Sequence, residues 1–403
     1  MRQSENRYPS VPYGKSVHGE DEVQAVVNVL RTSTQMGAHV AEFESRVAQL
    51  FDKKHGVMVN SGSTALFLAA KILNLPPGSE IITPALTFAT TVSCWVQHGL
   101  VPAFVDVEQG AYCIDPKKID NLISENTRAI CVPNLVGNVA DWEAIENIAR
   151  KHELIVVEDS ADTLGGKCGD KSSGFCADIS VTSFYGSHII NCAGNGGILC
   201  VNSDQMADEA RLLRSWGRSS SLFVESEKIE NRFDVTVDGI DYDAKFLFEQ
   251  CGYNFEPSEA GAAFGLVQLG KLEENIRLRQ YFFERQNDFF SHYEHWFVVP
   301  SQTTNTSSGW LAYPLTLRED APFTRKEMQI FLEQRNIQTR VVFTGNITRQ
   351  PGFRNIRMRT DPETYPIADQ VMKGGVLLAC HHGLTDDLLS HVHESFSEFA
   401  KRF

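Results

Sequence analysis

The first sixty residues carry two helical stripes and then a change of period. In "GEDEVQAVVNVLRTS" Val23, Val26, Val27 and Leu30 recur at i, i+3, i+4 and i+7, and acids crowd the first turn, where a helix dipole favours them. In "VAEFESRVAQLF" Phe43, Val47, Leu50 and Phe51 share one side. The short run "GVMVN" then reads as a strand. Beyond it, "EIIT", "PAFVDV", "RAICVPNL" and "LIVVEDS" alternate with the helical patterns "ALFLAAKIL", "TVSCWVQHGL" and "DWEAIENIARKH". Strands too apolar to have a wet face, spaced by helices, predict a parallel sheet covered on both sides, an α/β doubly wound architecture.

After residue 200 the pattern loosens. The polar passage "GRSSSLFVESEKIENRFDVTVDGIDYDAK" predicts a long loop or flap over 219–245. The run "NFEPSEAGAAFGLVQLGKLEENIRLRQYFFERQNDFF" predicts one long helix opened by Pro257 and Ser258. From about residue 295, the strand-like "LAYPLTL" and "QTRVVF" with the helical "RKEMQIFLEQRN" predict a smaller α+β domain. The expected division is 1–255 for the large domain and 256–403 for the small C-terminal one.

Composition narrows the function classes. With 403 residues, 42% hydrophobic and 22% charged, the chain is globular and long enough for two domains. A net charge of −14 offers no basic field for a nucleic acid backbone or an anionic membrane, so neither is an expected partner. A phosphate-bearing ligand would need local donors. No apolar run reaches spanning length, and the polar start "MRQSENRYPSVPYGKS" lacks the apolar core of a signal peptide, which points to a cytoplasmic protein. The nine cysteines are scattered, mostly in apolar segments, with no CxxC or CxC pair. They read as reduced, buried thiols, and no metal site is expected.

Three segments can carry chemistry. "VNSGSTALFLAA" is a strand, a glycine turn and a helix, with Ser61, Gly62, Ser63 and Thr64 at the junction. Exposed N–H groups and small hydroxyls at a helix start make an anion site, although Ser and Thr there also serve as plain N-caps. "LIVVEDSADTLGG" ends an apolar strand on Glu158 and Asp159, with Asp162 three residues on. In a doubly wound sheet ligands bind at the carboxyl ends of strands, so an acid there is placed to touch a cofactor; a helix cap or loop acid is the other reading. "SFYGSHIINCAGNGGI" brings Ser183 and His188 into a glycine turn. Anion turn, strand-end acid and Ser183 together fit a pyridoxal phosphate site, with Asp159 keeping the pyridine nitrogen protonated.

The ordered motifs "NSGSTAL", "TPALTFATTVS", "FVDVEQGAYCID", "VEDSAD", "TSFYGSH" with "GNGGIL", and "GYNFEPSEAGAAFGLVQL" resemble the DegT/DnrJ/EryC1/StrS family of sugar aminotransferases. The resemblance covers nearly the whole chain. It implies the fold type I pyridoxal phosphate architecture, aspartate aminotransferase-like, with a mostly parallel sheet and a small α+β domain. It further implies that Gly62, Ser63, Thr64 and Ser183 hold the phosphate and that Phe88 stacks on the ring. Asp159 would pair with the pyridine nitrogen, and Asp162, able to reach the same cavity, would also bind the cofactor. Asn254 would reach the neighbouring subunit's phosphate, which implies a homodimer with shared active sites.

One position departs from the aminotransferase pattern. Family aminotransferases carry lysine five residues after the serine of "SFxxxK", whereas position 188 is histidine and no lysine occurs between Lys171 and Lys228. Within the family this exchange resembles the 3-dehydratases of nucleotide-linked 4-keto-6-deoxyhexoses, which bind pyridoxamine phosphate non-covalently. There His188 would be the base, since an imidazole moves protons at neutral pH without capturing the aldehyde. Arg340 and Arg349 in "QTRVVFTGNITRQP" match a patch that would bind the nucleotide diphosphate; Arg214 and Arg218 are weaker candidates. Which nucleotide is bound stays open.

One branch of these enzymes carries an iron–sulfur cluster on cysteines in the acid motif and just after "WGR". Here the acid motif lacks cysteine, and so does 201–250, so no cluster is expected. The cluster-free branch takes L-glutamate as amino donor. Three alternatives stay open: a reductive dehydrase fed by an external electron-transfer partner, transamination with a lysine from elsewhere, and a sugar-nucleotide-binding regulator without catalysis. The pair His381 and His382 reads as a turn before the last helix, with one of them able to line the sugar pocket.

Overall fold

In the computed structural model the described residues are 7–223, 228–361 and 363–403. The N-terminal helices form at Glu20–Arg31 (α1) and Ala38–Leu50 (α2). Strands β1 (His55–Val59), β2 (Glu80–Pro84), β3 (Val101–Val105), β4 (Thr127–Pro133), β5 (Ile155–Asp159), β6 (Ile179–Ser183) and β7 (Gly197–Val201) form one sheet in the order β1-β7-β6-β5-β4-β2-β3. Only β7 runs against the others, pairing antiparallel with both β1 and β6. The helices between strands are α3 (Gly62–Ile72), α4 (Ala89–Gln97) and α5 (Trp142–His152). Their starts follow the sequence: the Ser61 hydroxyl accepts from the Thr64 N–H at 3.1 Å, and the Asp141 carboxylate accepts from the Ala144 N–H at 3.0 Å. The α/β reading holds.

The C-terminal part has a three-stranded sheet of β8 (Phe297–Val298), β9 (Tyr313–Leu317) and β10 (Gly375–Leu378), with β9 central and antiparallel to both neighbours. The expected single helix after Ser258 is two helices, α6 (Glu259–Leu269) and α7 (Leu272–Ser291). Gly270 separates them, as a residue that weakens a helix interior. The break lets α6 pack on α1 and α2 while α7 crosses to the C-terminal strands.

Three other expectations change. The α1 stripe does not face the core: Val23 is 43% and Leu30 65% exposed, while Glu22 and Val29 turn inward. Glu22 is drawn in by Gln268 Nε2 and Lys271 Nζ, each at 2.6 Å. "QTRVVF" makes one isolated bridge, Arg340 with Leu377, and Ile337 just before it makes another with Val11. Part of the expected 219–245 loop, residues 224–227, lies outside the described residues; the rest includes a short helix, Ile229–Phe233, and a hairpin of Val235–Val237 with Ile240–Tyr242.

Candidate active site

A cavity of about 350 Å³ opens where the carboxyl ends of β1, β4, β5 and β6 converge. Its lining includes Gly62, Ser63, Phe88, Asp159, Asp162, Ser183 and His188, seven of the residues singled out in the sequence. Two glycines shape its floor. A Cβ on Gly62 would lie 2.6 Å from the Ser183 Cβ, and one on Gly197 would lie 2.2 Å from the Ser61 carbonyl carbon. Only bare backbone lets the start of α3 settle this closely on β6 and β7. The first turn of α3 thereby presents its unpaired N–H groups beside the Ser63 and Ser183 side chains. Thr64 stands behind this rim: its hydroxyl donates to Asn60 Oδ1 at 2.7 Å and meets the Ser61 hydroxyl at 2.8 Å.

Asp159 ends β5 at 5% exposure. Burial raises its proton affinity, opposed by the Thr91 hydroxyl at 2.7 Å and the Ala161 N–H at 3.2 Å, and no salt bridge to it forms among the described residues. A buried carboxylate without a counter-charge is costly, and a protonated ring nitrogen would supply one. Asp162 accepts from the Val136 N–H at 2.9 Å; burial, and then the charge of Asp159, push it up to about 7. On the opposite face of the sheet Glu158 takes hydrogen bonds from Asn134, Ser160 and Ser173, and burial raises it to about 7.

His188 leaves the turn after β6 with Nδ1 3.1 Å from the Ser183 carbonyl. A carbonyl only accepts, so Nδ1 carries the hydrogen and Nε2 keeps its lone pair. Burial, reinforced by the charge of Arg279 and opposed by the Ser183 carbonyl, lowers its proton affinity to about 4, so the ring is neutral at physiological pH. The Tyr185 ring stands edge-on to it at 5.8 Å between centroids. No lysine is among the residues lining the cavity.

The remaining sequence candidates sit elsewhere. Arg340 lines a second groove, of about 460 Å³, which shares Tyr13, Tyr185 and Ser187 with the main cavity. Arg349 lines neither: its guanidinium forks onto Asp369, with Nε and Nη2 each at 2.5 Å. Arg214 is buried on Glu44 and the Met58 carbonyl. Arg218 lies over the Trp216 ring at 4.3 Å. Asn254 is exposed and bridges Ser215, away from this subunit's cavity. His381 and His382 are buried, and neither lines the cavity; His381 donates to the Pro12 carbonyl and His382 Nδ1 accepts from Arg279.

Sequence reading missed Tyr13, Thr91, Tyr185 and Phe343 on the cavity wall. Tyr13 arrives because the N-terminal segment pairs with the 336–338 stretch, Val11 N–H donating to the Asn336 carbonyl and Gln338 N–H to that of Val11. Phe343 meets Phe88 edge-on at 5.9 Å. Neither contact leaves a local sequence signal.

The donor set, the glycine-opened cradle and the uncompensated Asp159 fit pyridoxal phosphate or its amine. The solved structures similar to this chain bear on the same group. An E. coli GDP-4-keto-6-deoxy-D-mannose-3-dehydratase with bound hydrated PLP superposes with a TM-score of 0.87 at 26% identity, over 96% of this chain and 99% of that one. A GDP-4-keto-6-deoxymannose-3-dehydratase with a trapped PLP-glutamate geminal diamine also gives 0.87, at 25% identity, over 96% and 100%. Among curated proteins, the dTDP-4-dehydro-2,6-dideoxy-D-glucose 3-dehydratase of Saccharopolyspora spinosa is 34% identical over 414 residues, 98% of this chain and 87% of that protein. Among the described residues no helix is long and apolar enough to cross a membrane, and no group of three or more His, Cys, Asp or Glu could hold a metal ion. The model of the DegT/DnrJ/EryC1/StrS aminotransferase family matches residues 17–397, and the chain belongs to that pyridoxal-phosphate-dependent family.

Proposed function

We propose that the protein is a lyase: a nucleotide-sugar 3-dehydratase that removes the C3 hydroxyl of a nucleotide-linked 4-keto-6-deoxyhexose and yields a 3-deoxy-4-keto sugar. L-glutamate restores the amine form of the cofactor, and the setting is deoxysugar or O-antigen type biosynthesis. The observation that carries this reading is a cavity wall holding an imidazole and no lysine. When bound, pyridoxamine phosphate supplies an electron sink and is oxidised from amine to aldehyde, with release of ammonia, as the sugar carbon loses its oxygen. Gly62, Ser63 and Ser183 bind the phosphate, Thr64 braces that turn, and Phe88 covers the ring. Asp159 holds a proton on the ring nitrogen, and Asp162 supports the Val136–Gly137 backbone beside it. His188 Nε2 takes the proton that must move before the hydroxyl can leave, and a neutral ring is the form that can do so.

Arg340 binds the nucleotide diphosphate in this reading, supported by the three residues its groove shares with the cavity. The protein acts as a homodimer in which Asn254 serves the partner's site. Support comes from its exposure and from the apolar side chains left open on 229–248, among them Ile229, Ile240 and Phe246. An external electron donor has less support: seven of the nine cysteines are buried, and none lies between 201 and 250.

A mass-resolved assay across CDP-, GDP- and dTDP-linked 4-keto-6-deoxyhexoses, with and without glutamate and a reducing partner, tests the reading. A sugar lacking one oxygen, formed with glutamate alone, is expected. A 4-amino sugar, or a borohydride-trapped covalent bond between protein and pyridoxal phosphate, overturns it.

A further inference from the structure

Arg279, on α7, is fully buried and has no carboxylate partner among the described residues. Its five N–H bonds are nevertheless all used. Nε donates to His382 Nδ1 at 3.2 Å, Nη1 to the carbonyls of Trp310 and Leu311 at 3.0 Å each, and Nη2 to the carbonyls of Ser187 and His188 at 3.3 and 3.2 Å. Three chain segments far apart in sequence, 187–188, 310–311 and the one at His382, are thus tied to one planar group. The first carries His188, and the second carries Leu311, which also lines the cavity.

A buried cation costs far more desolvation than a neutral side chain able to bridge the same carbonyls. Four carbonyl dipoles and an imidazole lone pair satisfy its donors without cancelling its charge. That leaves a positive charge directly behind the active-site histidine. Other groups around the ring are Tyr185 on its own turn, Asp159 and Asp162 beyond β5, and Tyr13 from the N-terminal segment. Behind the guanidinium stand His381 and His382, both neutral, with burial and then Arg279 lowering them to about 4 and about 3. Arg279 is itself lowered by burial to about 10 and stays charged at neutral pH.

We propose that Arg279 is the positioning residue of the site: it fixes the backbone that carries His188 and sets an unpaired positive charge behind that imidazole. The inference rests on His188 being the base of the proposed reaction. Burial disfavours protonation of this ring, and a like charge held close in a dry interior adds to that, so the lone pair on Nε2 stays available at pH values where an ordinary histidine would be half protonated. The fork also limits sideways movement of the turn, and a displacement of about 1 Å at a proton-transferring group costs about 100-fold in rate.

The test uses cofactor-loaded protein with ring-labelled histidine, the His188 resonance being assigned by its loss in His188→Asn. In the wild type the resonance titrates well below 6.5. In Arg279→Gln its midpoint rises by about one to two pH units. In Arg279→Lys the charge stays and the fork is lost, so the midpoint remains low while kcat falls by about tenfold or more with KM little changed. A wild-type midpoint at or above 6.5, or a midpoint in Arg279→Gln equal to that of the wild type, overturns the proposal. Should the Gln variant not fold, the wild-type midpoint and the kcat of Arg279→Lys still decide it. Full turnover in His188→Asn would reject the base assignment instead, and the midpoints would still report on Arg279.

Discussion

His188 Nδ1 is hydrogen-bonded to the carbonyl of Ser183, five residues earlier, at 3.1 Å. The bond fixes the tautomer: the hydrogen is spent on the backbone and Nε2 is left as the proton acceptor. With the ring lowered to about 4, the acid limb of the rate profile that reports the base should fall well below pH 6.5. Asp162, raised to about 7, is protonated below that pH and should account for an inflection near neutrality. Rate profiles of wild type and Asp162→Asn check both points: the variant should lose the upper inflection and keep the lower limb.

Asp159→Asn removes the carboxylate proposed to hold a proton on the ring nitrogen while keeping size and the contact with Thr91. Turnover should fall by about 100-fold or more, and cofactor affinity should weaken. Absorbance titration with pyridoxal phosphate, followed by single-turnover kinetics, measures the two effects separately.

Gly62→Ala should damage the phosphate cradle more than the fold. The added methyl would meet Ser183 Cβ at 2.6 Å, so the start of α3 and the end of β6 must part. Overpacking of this kind costs about 1 to 3 kcal/mol of stability. Cofactor affinity should drop by about tenfold or more through the displaced N–H groups. Thermal melts with and without cofactor would show the drop as a reduced ligand-induced rise in Tm.

Glu158 makes stability depend on pH. Burial raises its folded-state value to about 7 from 4.5, so the folded chain holds a proton that the unfolded chain has released. Between those two values the folded state binds more protons, so stability declines as pH rises from about 4.5 to about 7 and changes no further through this group above that. Glu158→Gln should therefore stabilise the protein at pH 8, by on the order of 1 to 3 kcal/mol, and change little at pH 4. Denaturant unfolding at the two pH values checks the sign.

Sequence periodicity was enough for the central sheet because its strands are buried on both faces and leave continuous apolar runs, as in "RAICVP" and "LIVVED". It misled at α1, where the stripe with Val23 and Leu30 stays exposed, since periodicity shows that a face is apolar and not what covers it. The site was legible where it is local: the helix start at Gly62, the strand end at Asp159, the turn at His188. Tyr13 and Arg279 were not. Tyr13 reaches the cavity through pairing with Gln338, and Arg279 through bonds to 187–188, 310–311 and His382, and neither lies in a segment with chemical spacing. The motif that holds Arg349 carries no sign of its partner, Asp369, twenty residues on, which engages the guanidinium outside the cavity lining.

The most direct measurement loads the protein with pyridoxamine phosphate, mixes it with a nucleotide-linked 4-keto-6-deoxyhexose, and follows the sugar by mass in wild type and His188→Asn. Loss of one oxygen from the sugar in the wild type, slowed by about 100-fold or more in the variant, is the expected result. Deoxygenation at an equal rate in both proteins, or an amino sugar from the wild type, would contradict it.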